Sequence, residues 1–116
     1  DIVGRWVTPS QGQVEIFKCG AALCGKLISS PRLDREPHLT DQLNKDASKR
    51  GRKIKGITML EGFGGGPTVF TGGKVYNPED GGTYAGTITV VDAGTLKLKG
   101  CVAAPLCKTQ VWKRVK

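Results

Sequence analysis

The chain has 116 residues, 38% of them hydrophobic and 24% charged, which is the profile of one folded domain spanning residues 1–116 and excludes a disordered chain. Eighteen Lys and Arg against ten Asp and Glu leave a formal charge of +8, and no apolar run reaches the roughly 18 residues that a membrane-crossing helix needs. Glycine is abundant at 17 residues and aromatics are scarce at 6%, a balance that favours short strands and tight turns over a helical bundle.

Alternation of period two recurs along the chain and predicts strands over residues 3–8, 13–19, 23–29, 54–62, 68–76, 83–91, 95–102 and 109–115, the fifth with a glycine break. In the seventh, Leu96, Leu98, Gly100 and Val102 share one face while Lys97 and Lys99 share the other, the pattern of a half-buried strand. Turn chemistry separates the runs at Pro9-Ser10-Gln11-Gly12, Gly64-Gly65-Gly66-Pro67, Asn77-Pro78-Glu79-Asp80-Gly81-Gly82 and Asp92-Ala93-Gly94. About eight strands in sequential hairpin order predict an all-β, antiparallel up-and-down barrel.

One segment interrupts this rhythm. Residues 30–53 are polar and highly charged, and in a compact domain such an insertion reads as a lid, a binding loop or a spacer. Within it, residues 39–44 suit a helical turn with Thr40 or Asp41 as the N-cap. The positive charge concentrates at Arg32, Arg35, Lys45, Lys49, Arg50, Arg52, Lys53 and Lys55, and again at Lys108, Lys113, Arg114 and Lys116. Such a field attracts nucleic acid, anionic lipid or acidic glycan, besides keeping a small domain soluble.

Four cysteines form two close pairs, Cys19 with Cys24 and Cys101 with Cys107, separated by four and five small or apolar residues. Structural zinc sites favour closer spacings, so two short disulfide loops fit better, and each would tighten a hairpin by roughly 2 kcal/mol. Three pairings are formally open, with the two local bridges preferred. An even cysteine count in a small, loop-rich domain points to an oxidising compartment. The first residue is Asp1 and no leader is present, which reads as a mature form with its signal peptide removed; the expected location is periplasmic or secreted.

Gly4-Arg5-Trp6 near one end and Trp112-Lys113-Arg114 near the other suit the closing seam of a barrel, with the guanidinium laid over an indole. This arrangement resembles the lipocalin signature. Val14 to Gly20, Leu23 to Leu27, Gly72 to Pro78, Asp80-Gly81 with Thr83-Tyr84, Leu98 to Cys101 and Thr109 to Arg114 then follow in the order of the exported bacterial family known as domain of unknown function 2147. The resemblance runs from Ile2 to Val115. It implies a small lipocalin-like (calycin) β-barrel made with a signal peptide and with no established reaction. The chain departs from the family in having Phe70-Thr71 where a Trp often precedes the paired glycines. It also lacks the Pro after Asp41-Gln42-Leu43-Asn44.

Catalytic material is sparse, so no enzyme, catalytic residue, metal or cofactor is expected. His38 sits in the charged loop with no acid or nucleophile fixed beside it, and bridged cysteines are not nucleophiles. Tyr76, Asn77, Glu79, Asp80 and Tyr84 are explained by turn chemistry better than by calcium, which requires more oxygens at ordered spacing. Gly64-Gly65-Gly66 lacks the Lys-Ser/Thr ending of a phosphate loop.

The leading expectation is a non-enzymatic exported protein that binds a small apolar or amphipathic ligand inside its barrel, lined by Phe17, Met59, Phe63, Phe70 and Tyr84. Trp6, Trp112 and Arg114 are assigned to barrel closure. The alternative is a cell-envelope interaction module whose basic loop grips an acidic protein, lipid or glycan. Nucleic acid is disfavoured because the few aromatics are needed inside.

Overall fold

The computed structural model describes residues 1–103 and 106–116. Its strands are β1 (Gly4–Val7), β2 (Gln13–Cys19), β3 (Ala22–Ser29), β4 (Thr58–Gly65), β5 (Val69–Asn77), β6 (Gly82–Asp92), β7 (Thr95–Ala103) and β8 (Leu106–Arg114). Each pairs antiparallel with the next in sequence, and β8 returns to β1, so the sheet closes as an eight-stranded up-and-down barrel. No helix among the described residues is long and apolar enough to cross a membrane.

The strand alternation resolves into an inner and an outer face. Val14 and Ile16, Leu60 and Phe63, Ile88, Leu96 and Leu98 are buried, as are Trp6 and Trp112. The Phe63 ring fits inside the barrel because glycines make room for it. A Cβ on Gly73 would lie 2.3 Å from the Phe63 ring, and one on Gly86 would lie 2.7 Å from it. Burial of each such side chain contributes about 2–3 kcal/mol by area. Neither indole leaves an orphan donor: Trp6 Nε1 donates to the Ile2 carbonyl at 2.9 Å and Trp112 Nε1 to Gln110 Oε1 at 3.0 Å.

Two disulfides brace hairpins at opposite ends of the barrel. Cys19–Cys24 ties β2 to β3, and Cys101–Cys107 links directly opposed residues of β7 and β8. At the seam, Trp6 pairs with Arg114 and Val7 with Lys113.

The strand ends differ most from the sequence reading in the fourth and eighth strands, the fourth running on to Gly65 through the first two residues of the turn expected over residues 64–67. The fourth strand begins at Thr58 instead of residue 54, because the Ile54 N–H bonds to the Leu39 carbonyl and Gly56 turns the chain at φ +85°. The eighth begins at Leu106 instead of residue 109, its start held against β7 by the second disulfide.

The charged connection between β3 and β4 is folded. Its helix is α1 (Pro31–Arg35), capped by Ser30 Oγ, which accepts from the Leu33 N–H at 3.1 Å, with Pro31 opening the first turn. The helical turn expected over residues 39–44 is not a helix. That stretch is drawn into a bridge between Thr40 and Lys53 and into bonds from Asp41 N–H to the Arg52 carbonyl and from Gln42 N–H to the Thr40 carbonyl. Side-chain and cross-loop partners outcompeted the local helical ladder. A single 3₁₀ turn, Ala47–Lys49, follows Asp46. Leu33, Ile54 and Ile57 face the common core, which anchors the loop on the barrel.

Candidate functional site

Lys74 and Tyr76 alternate along β5 with Gly73 and Val75. The latter two face Phe63 and Gly86 inside the barrel, so Lys74 and Tyr76 belong to the outer face. Over that face the loop is pinned by Asp41, whose carboxylate is fully buried. Tyr76 Oη donates to Asp41 Oδ1 at 2.6 Å, and Asn44 Nδ2 donates to Oδ2 at 2.8 Å. Arg52 Nε donates to the same Oδ2 at 3.1 Å and its guanidinium lies 5.4 Å from the Tyr76 ring centroid. Asn44 also accepts from the Asp46 N–H and, through its carbonyl, from Arg50 Nε, so one carboxylate organises residues 41–52.

Burial by itself would raise the Asp41 pKa, but the hydrogen bonds from Tyr76, Asn44 and Arg52 and the charge of Arg52 outweigh it, leaving the carboxyl below its ordinary range. Tyr76 moves the opposite way, pushed up to about 12 by burial and by its bond to the Asp41 charge. The loop backbone seats on the β5–β6 turn at Gly81, where a Cβ would fall 1.6 Å from the Leu43 carbonyl oxygen. Only glycine permits that approach at φ +73°.

Between the pinned loop and the outer face of β4 and β5 runs an open groove of about 700 Å³. Ile57, Met59 and Tyr76 supply apolar wall. Lys45, Lys49, Arg52, Lys53, Lys55 and Lys74 ring it, with Asp46 and Glu61 as the acidic residues of the lining. The lining thus sets dispersed cationic groups around a wall of Met, Ile and Tyr. A smaller, more apolar depression of about 370 Å³ lies at the opposite end of the barrel, among Ile2, Leu23, Phe70, Val90 and Arg114.

The five aromatic and Met residues named from sequence as barrel lining are dispersed. Phe63 fills the axis, and Phe70 reaches the smaller depression. Met59 lines the groove outside the barrel, because it alternates with inward Leu60. Phe17 is half-buried on the outer face, next to inward Ile16, with Lys26 Nζ 5.5 Å above its ring. Tyr84 is half-buried and donates to Asp80, which also accepts from the Gly82 N–H. His38 is exposed.

Trp6 and Arg114 meet at the seam, the guanidinium 4.4 Å from the indole centroid, while Trp112 is buried opposite Leu96. Sequence reasoning missed the Asp41–Tyr76 contact, offering Thr40 or Asp41 as a helix cap and leaving Tyr76 to the end of a strand and its turn. An acid two residues after Leu39, which packs against the core, was the available signal.

A closed, eight-stranded, up-and-down barrel sealed by a Trp under an Arg defines a lipocalin-like protein. Its fold is similar to that of protein HP1028 from the human pathogen Helicobacter pylori, described as belonging to the lipocalin family. The TM-score is 0.90 at 27% identity, over 100% of this chain and 84% of that one. No curated protein matches the chain. The chain belongs to the family described as an uncharacterized protein conserved in bacteria, domain of unknown function 2147, which matches residues 4–114.

Proposed function

We propose that this protein is a non-catalytic, exported small-ligand-binding protein whose ligand is an anionic amphiphile seated in the groove between the charged loop and β4–β5. The carrying observation is the lining itself: six cations surround an apolar wall, and the loop that supplies most of them is fixed by buried Asp41. The lipocalin-like fold supports binding as the general role. The two disulfides support an oxidising compartment. Large side chains packed along the axis favour the groove over the barrel interior.

Titration calorimetry below the micelle concentration tests this, comparing dodecyl phosphate with a neutral dodecyl maltoside. One-to-one binding of the phosphate is expected, weakening with added salt as screened charges require. Lys49→Glu with Lys53→Glu should weaken it about tenfold. Equal affinity for both amphiphiles, unchanged by the charge reversal, would refute the groove as an anion site.

A further inference from the structure

The seam that closes the barrel is short on one side. β1 has four residues and β8 has nine, and their pairing consists of Trp6 with Arg114 and Val7 with Lys113. Residues 106–111 of β8 are paired to β7 along one edge, and among the described residues no strand pairs with the other edge. Alternate N–H and C=O groups of this stretch therefore point to solvent. Gln110 shares its strand face with fully buried Trp112 yet is itself exposed. The overhanging hairpin is stiffened by Cys101–Cys107 and carries exposed apolar side chains: Val102 at 73%, Leu106 at 68% and Val111 at 43%.

An open strand edge is a template for another strand. Charge selects which kind. Residues 96–111 contain Lys97, Lys99 and Lys108 and no Asp or Glu. Lys97 stands opposite Val111 and Lys99 opposite Thr109, on the outer face, while Lys108 stands opposite Gly100. A second copy of β8 would bring like charges together, so these lysines oppose self-pairing. They complement an acidic strand on either face.

We propose that residues 106–111 of β8 form a docking edge for an extended acidic segment of another protein, which adds as a further strand beside β8. The main chain would supply affinity, and the lysines with Val111 would supply selectivity. This edge lies apart from the groove residues and does not depend on the ligand assigned there.

The test uses the whole isotope-labelled protein, titrated by NMR with a synthetic heptapeptide alternating Glu and Val. Controls are a Lys-Val heptapeptide and a Glu-Val heptapeptide methylated at every backbone nitrogen. The expected result is amide shifts centred on residues 106–111 with the acidic peptide, lost with the methylated one. Combined Lys97→Glu, Lys99→Glu and Lys108→Glu substitutions should weaken the acidic peptide by about tenfold or more and transfer the preference to the Lys-Val peptide. The proposal is overturned if shifts map instead to residues 45–55 or do not occur. Equal binding of the methylated peptide, or dimerisation of the free protein through β8, would overturn it too.

Discussion

The Arg114 guanidinium stacks 4.4 Å from the centroid of the Trp6 ring and from there donates to three carbonyls, those of Asp1, Val3 and Ala93. One side chain thus joins the first strand, the last strand and the β6–β7 turn. The planar fork is what makes three simultaneous backbone contacts possible, since an ammonium cannot both stack and span them.

Arg114→Ala is therefore expected to cost about 2 kcal/mol, from lost stacking and lost hydrogen bonds together. Arg114→Lys should recover only a minor part. Thermal melts of both variants check this; a melting temperature equal to that of the parent would remove Arg114 from the seam.

Asp41→Ala should destabilise the fold by about 3 kcal/mol, because it strands the Tyr76 hydroxyl and Asn44 amide while unpairing Arg52. Arg52 is 40% exposed, so its own share is discounted for solvent screening. Urea unfolding of Asp41→Ala and Tyr76→Phe measures both ends of the contact, and the Phe variant is expected to lose about 1.5 kcal/mol.

The same pair sets opposite pH limits. The Asp41 pKa is lowered on folding, so its contribution is present above the unfolded value of about 4 and is lost as pH falls through the lower folded value. The Tyr76 pKa is raised to about 12, so its contribution is present below the unfolded value of about 10 and is lost as pH rises toward the folded one. Asp41→Asn should flatten the acid limb and Tyr76→Phe the alkaline limb of a stability–pH curve. Parallel curves for parent and variants would contradict the assignment.

Gly73→Ala places a Cβ 2.3 Å from the Phe63 ring and should cost about 1–3 kcal/mol through overpacking. In the background of Phe63→Leu the same change should be less costly. A double-mutant cycle on unfolding free energies reads the difference; simple additivity would mean that the ring and the glycine do not constrain one another.

Reduction of both disulfides is expected to lower stability by about 2 kcal/mol per bridge in the chain-entropy description, and alkylation of the untreated protein should label no cysteine. Mass spectrometry of the alkylated protein provides the check.

The barrel was legible in the sequence because period-two alternation and turn residues are local signals. Leu96 and Leu98 against Lys97 and Lys99 announce an inner and outer face without reference to any partner. The candidate groove was half legible. Its loop cations stand in one charge run, but Lys74 and Glu61 come from strands that reach it only after folding. Asp41 was misread for the same reason: its three side-chain partners include Tyr76, 35 residues away, and a distant phenol leaves no trace in a local window. Phe17 and Met59 show the converse limit. Their apolar character suggested the interior, yet their register beside Ile16 and Leu60 turns them outward.

The β1–β8 seam also has a kinetic consequence. Apart from β3–β4, which spans the loop, every other strand pair is a hairpin between sequence neighbours, whereas Arg114 meets Val3 across 111 residues. Hairpins of short separation cost the least loop-closure entropy, so the assembly order favoured by topology sets the seam last. Substitutions at Arg114 should then accelerate unfolding while leaving the folding rate almost unchanged, and the barrel's lifetime, more than its speed of formation, would rest on this one cation.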